Sequence, residues 1–75
     1  MDKPKKGDRI TDTDAEVILA MSRNDMSIQR TADELNYTHN AVGYHIQKIR
    51  RVTGLNPKGF FDLQELLKMV GGSDG

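Results

Sequence analysis

Asn40, Tyr44, Gln47 and Arg51 follow one another at i, i+4, i+7 and i+11. On a helix turning by about 100° per residue they fall on one line. An amide, a phenol, an amide and a guanidinium in a row make a stripe of hydrogen-bonding groups with no carboxylate among them. Asn, Gln and Arg side chains can each make paired hydrogen bonds to base edges in a DNA major groove, which is wide enough to admit one α-helix. Gly43 and Arg50 flank the stripe on one side and Lys48 on the other. Cations at those borders suit phosphates. Gly43 removes a side chain where such a helix would approach the groove floor or backbone.

The charge pattern around this stripe is segregated. The chain has 75 residues with 11 basic and 11 acidic side chains, so its net charge is zero. Yet residues 37–58 hold Lys48, Arg50, Arg51 and Lys58 and no acid, whereas residues 11–26 carry four acids against one base. Sign asymmetry of this kind points to a polyanion better than net charge does. A polar helix face is ordinarily only a solvated face. Such faces usually mix Glu with Lys, however, and seldom place a Tyr directly opposite the core.

Other chemistry finds little support. With no cysteine, disulfides, thiolate metal sites and thiol nucleophiles are excluded. His39 and His45 lie about 240° apart around their helix, so they cannot share a metal from one face. Asp12, Asp14 and Glu16 are best explained as helix-capping and dipole-complementing residues. No Ser–His–acid set or phosphate-cradling glycine loop can be drawn. The expectation is a non-enzymatic protein with no cofactor and no metal. No apolar run approaches the ~18–20 residues that span a membrane. MDKPKKGDRI has no apolar stretch behind its basic residues, so it is not a secretory signal. These features predict a cytoplasmic, nucleoid-associated protein.

The elements that must position the stripe follow from capping and periodicity. Thr13 with Glu16 fits a capping box opening a first helix that runs to about Arg23, where Asn24 and Asp25 break it. Ser27 caps a short second helix whose buried face is Ile28, Thr31, Ala32 and Leu35. Asn36 suits a left-handed stop. Tyr37 is an apolar anchor, and Thr38 caps a third helix from His39 to about Thr53, ended by Gly54. Val42, Ile46, Ile49 and Thr53 form its core line. Asn56–Pro57 reads as a cap with proline at the first helical position, and Phe60–Val70 as a fourth helix. Nothing alternates with period two. The prediction is an all-α, four-helix helix-turn-helix domain over 10–70, with a flexible basic arm at 1–9 and a disordered tail at 71–75.

Within that frame TADELNYTHNAVGYHIQKIRRVTGLNP (31–57) resembles the C-terminal helix-turn-helix of PucR-type transcriptional regulators, the purine-catabolism and sugar-diacid group, of the type seen in the factor for inversion stimulation. The resemblance rests on Thr31, Ala32, Glu34, Leu35, Asn40, Tyr44, Lys48, Ile49, Thr53, Gly54, Leu55 and Pro57, and covers about residues 26–70. It departs at His39, Gly43 and His45, where the family usually has basic residues. It implies sequence-specific binding of double-stranded DNA in the major groove and a role in transcriptional regulation. The family members are long regulators with an effector-sensing region upstream, so the expectation here is a free-standing small transcriptional regulator or a cut-out domain of a longer one. Asn40, Tyr44, Gln47 and Arg51 are then expected to read or touch bases. Thr38, His39, Lys48 and Arg50 are expected to meet the backbone, with Gly43 allowing close approach.

The last helix has more apolar residues than one stripe buries. Its surplus, Phe61, Leu66 and Met69, suits a homodimer. A second reading is a protein-interaction module, an anti-activator or assembly adaptor, to which zero net charge and this helix both point.

Overall fold

The structure is a computed structural model that describes residues 9–71. All but one residue of the expected arm and of the expected tail lie outside the described residues. Within them the chain forms α1 (Asp12–Arg23), α2 (Ile28–Leu35), α3 (His39–Thr53) and α4 (Phe60–Val70), with no strand.

α1 is the hub. It packs against each of the other three helices, α2 packs on α3, and α4 approaches α1 alone. Val17, Ile18 and Met21 of α1 meet Ala32 of α2, Val42, Ile46 and Ile49 of α3, and Leu63 and Leu66 of α4 in one cluster. Removing this apolar surface from water is the main force holding so small a chain together. No buried side-chain polar atom lacks a partner among the described residues. Buried Thr31, for instance, donates to the Met21 sulfur at 3.3 Å.

Three of the four helix starts use a side-chain cap. α1 begins two residues earlier than the Thr13–Glu16 reading predicts. Thr11 is the N-cap, and Asp14 closes the capping box. The Asp14 amide donates to Thr11 Oγ1 at 3.2 Å, and the Thr11 amide donates to Asp14 Oδ2 at 3.0 Å. Thr11–Asp14 has the same spacing as Thr13–Glu16, and the tie of Asp14 to α3 favours this register. Ser27 and Thr38 cap α2 and α3 as expected, accepting from Arg30 N and Ala41 N.

The helix ends also follow backbone logic. Asn36 is left-handed (φ 61°, ψ 40°). Tyr37 N donates to Ala32 O at 2.9 Å and Asn36 N to Asp33 O at 3.3 Å, a Schellman closure. Gly54 takes φ 78° at the end of α3. Asp25 and Met26, between α1 and α2, both hold positive φ without being glycine.

Asn56–Pro57 forms a turn rather than a helix start. Asn56 Oδ1 accepts from Lys58 N at 2.9 Å, and Asn56 N donates to Asp62 Oδ2 at 3.0 Å. α4 itself starts after Gly59, which has no side chain to cap it. Leu66, expected in the outward surplus, is fully buried; the exposed apolar residues of α4 are Phe60, Phe61 and Met69. Among the described residues no helix is long and apolar enough to cross a membrane.

Candidate nucleic-acid interface

α3 stands across α1 and α2 with Val42, Ile46 and Ile49 inward. Ala32 is 1% exposed where α2 meets α3. A methyl there lets the two helices come close. The Asn36 turn supplies the change of direction. Helix, left-handed turn and second helix thus fix the rotation of α3, and that rotation decides which face is presented.

Asn40, Tyr44, Gln47 and Arg51 are all exposed, and so is the bordering Arg50. Tyr44 retains 63% of its surface, high for a ring that could have packed inward. Gly43 lies half-buried at the edge of the stripe, and a Cβ built there meets nothing within 4 Å. Its bareness is therefore not required by the packing of the protein itself. Gln47, Arg50, Arg51 and Gly54 border an open depression of about 480 Å³ at the C-terminal end of α3. Thr38 and His39 sit exposed at the helix start.

Lys48 stands apart from the other candidates. Its side chain is only 13% exposed, and its Nζ donates to Asp14 Oδ2 at 2.7 Å. The second carboxylate oxygen of Asp14 takes the His45 Nδ1 at 2.7 Å. An ionised carboxylate only accepts, so Nδ1 carries the proton in this pair. His45 also stacks on Tyr37 (centroids 6.2 Å apart) and meets the Tyr44 ring edge-on at 5.5 Å. Asp14 is wholly buried. Burial alone would push its carboxyl pKa up. The Lys48 ammonium, the Thr11 amide, His45 and the Thr11 hydroxyl outweigh burial and bring it down to about 2. The sequence shows Asp14 as a capping residue only; its tie to α3 spans 34 positions of chain. The sole local sign is that His45 and Lys48, three apart, share the core-edge side of α3.

A second polar cluster braces α1 against α2. Arg23 pairs with Glu34, its Nε donating to Oε2 at 3.0 Å, and Asn24 Nδ2 donates to Glu34 Oε1 at 2.9 Å. Among the described residues no group of three or more His, Cys, Asp or Glu side chains is placed to hold a metal ion.

A short helix, a left-handed turn and a longer helix with an exposed acid-free stripe, all carried on a first helix, make this a helix-turn-helix domain. Residues 15–68 match the family model of the PucR C-terminal helix-turn-helix domain, and the chain belongs to that family. No curated protein and no solved structure gives a significant match.

Proposed function

We propose that the protein binds double-stranded DNA in a sequence-specific way, laying α3 in the major groove, and acts in the cytoplasm in transcriptional regulation. One observation carries the reading. The second helix of a PucR-family helix-turn-helix carries Asn40, Tyr44, Gln47 and Arg51 along its exposed side, and the helix itself contains no carboxylate. The amides and the guanidinium contact base edges, with Tyr44 beside them. Thr38, His39, Arg50 and the amides of the first turn of α3 meet phosphates. Gly43 lets the helix approach closely. Lys48 is left out of the phosphate set because Asp14 holds its charge.

Titration of labelled protein with mixed-sequence duplex at low salt tests this. Amide shifts confined to 38–51 support it; shifts confined to α4, or none, sink it. Selection of bound sequences from a random duplex pool then tests specificity, and an unenriched pool removes that part of the reading.

A second reading, a protein-interaction module, rests on the exposed Phe60, Phe61 and Met69 of α4. Shifts confined to α4 on adding a partner protein, with none on adding duplex, would favour it.

A further inference from the structure

Of the four stripe residues Tyr44 alone carries a ring, and it stands well out of the surface. A side chain so exposed ordinarily samples several staggered positions about its Cα–Cβ bond. The His45 ring meets it edge-on, with centroids 5.5 Å apart and planes at 76°. Neighbouring residues on a helix project about 100° apart and do not normally face each other. The contact therefore exists only while both rings turn to the side they share.

His45 lacks such freedom. Its Nδ1 donates to Asp14 Oδ1 at 2.7 Å, and its ring stacks on Tyr37 with planes 25° apart. Tyr37 in turn packs against the central cluster. The two holds act in different directions, since the hydrogen bond lies along the imidazole plane and the stack presses on its face. Turning the ring about its Cβ–Cγ bond would break both.

The Asp14 end is the firmest part. Oδ2 takes the Thr11 amide at 3.0 Å, the Thr11 hydroxyl at 3.1 Å and the Lys48 ammonium at 2.7 Å. Those three contacts suffice to close the cap of α1 and to hold Lys48. Among the described residues Oδ1 receives His45 alone. One oxygen of a wholly buried carboxylate thus serves to orient a half-buried imidazole, whose next contact is the ring on the stripe. A chain of fixed contacts runs from the core through Asp14 and His45 to Tyr44. A recognition group held by side chains that are themselves locked is preorganised.

We infer that His45 is a positioning residue for recognition: clamped between Asp14 and Tyr37, it holds the Tyr44 ring in the orientation in which α3 meets a duplex. The inference rests on the DNA reading above. It makes part of the sequence preference depend on a side chain that touches no base. Holding the ring in advance spares its immobilisation on binding, an effect of roughly two- to tenfold in affinity.

Two measurements test it. In the parent without DNA, three-bond couplings to the Tyr44 β-protons report a single staggered position, and the Tyr44 and His45 rings show mutual contacts. In His45→Asn the amide takes the place of Nδ1 on Asp14 but no ring remains, and the couplings average while the fold persists. Averaged couplings in the parent overturn the inference without any variant. Couplings that His45→Asn leaves unchanged overturn it too.

The second measurement uses a duplex that the parent selects from a random pool, beside a mixed-sequence duplex of equal length. His45→Asn loses about two- to tenfold in affinity on the first and nothing on the second. In a Tyr44→Ala background the same change costs nothing on either. A loss equal on both duplexes, or one that persists without the Tyr44 ring, makes His45 merely structural and overturns the inference. A pool that the parent leaves unenriched sinks the DNA reading and this inference with it. An enriched pool with His45→Asn unaffected sinks the inference alone.

Discussion

The Asp14 carboxylate, on the first turn of α1, and the Lys48 ammonium, on the third turn of α3, lie 2.7 Å apart in a setting where the carboxylate has no solvent exposure. The helix that presents the polar stripe is thus pinned, on its core edge, to the helix that organises the fold. A buried pair of this kind contributes most when both members are present. Removing one strands the other without a partner.

Acid should expose this directly. The folded-state pKa of Asp14 is about 2, against 3.8 for the unperturbed group. Its contribution, on the order of 2 kcal/mol from the size of that shift, is therefore fully present above pH 3.8. It is lost as pH falls through about 2. Urea unfolding of Asp14→Asn at neutral pH should show a loss of that order. The mutant and parent curves should converge near pH 2. A constant gap between them down to pH 2 would mean that Asp14 is not the group responsible.

On the DNA reading, the stripe and its borders should separate by kind of effect. Gln47→Ala and Arg51→Ala should each cost about 1–3 kcal/mol on a selected site and much less on random duplex. Arg50→Ala should weaken both alike and flatten the salt slope by about one unit. Lys48→Met should leave that slope unchanged, because the lysine charge is already spent on Asp14, and should instead lower the melting temperature. Binding isotherms at several salt concentrations decide among these outcomes.

On the DNA reading, Gly43 sets stability against recognition. A β-carbon meets no atom within 4 Å there, and glycine inside a helix costs roughly 0.5–1 kcal/mol relative to alanine. Gly43→Ala should therefore raise the melting temperature. Gly43→Leu should fold equally well yet bind duplex less tightly, because its side chain would occupy space that the groove needs. Equal affinity for Gly43→Leu and the parent would show that α3 does not approach DNA along this edge.

At the far end of α3, Gly54→Ala should behave in the opposite way. Its φ of 78° lies in the left-handed region, where a β-carbon costs about 1–2 kcal/mol. Alanine should therefore lower the melting temperature even though the space around Gly54 is empty. An unchanged melt would mean that the end of α3 rewinds without strain.

What the sequence discloses here is whatever depends on nearby residues. The rotation of α3 is legible because Val42, Ile46 and Ile49 recur at helical spacing, and the stops at Asn36 and Gly54 because few other residues take left-handed backbone. The pairing of Lys48 is not legible for the converse reason: the acid that turns it inward belongs to another helix and announces itself only as a cap. The start of α1 is ambiguous, as Thr11–Asp14 and Thr13–Glu16 satisfy one spacing rule equally. Leu66 shows the limit of counting apolar residues on a helix as rich in them as α4. Which leucine faces inward depends on where α1 lies, and no local pattern states that.

Met26 is under two opposing demands. Its φ of 63° is a backbone state that glycine would enter freely, while its side chain packs against the central cluster and could not be deleted without leaving a void. Any replacement meets one demand at the expense of the other. In a library of variants this position should tolerate almost nothing, although it lies between helices, where substitution is usually forgiven.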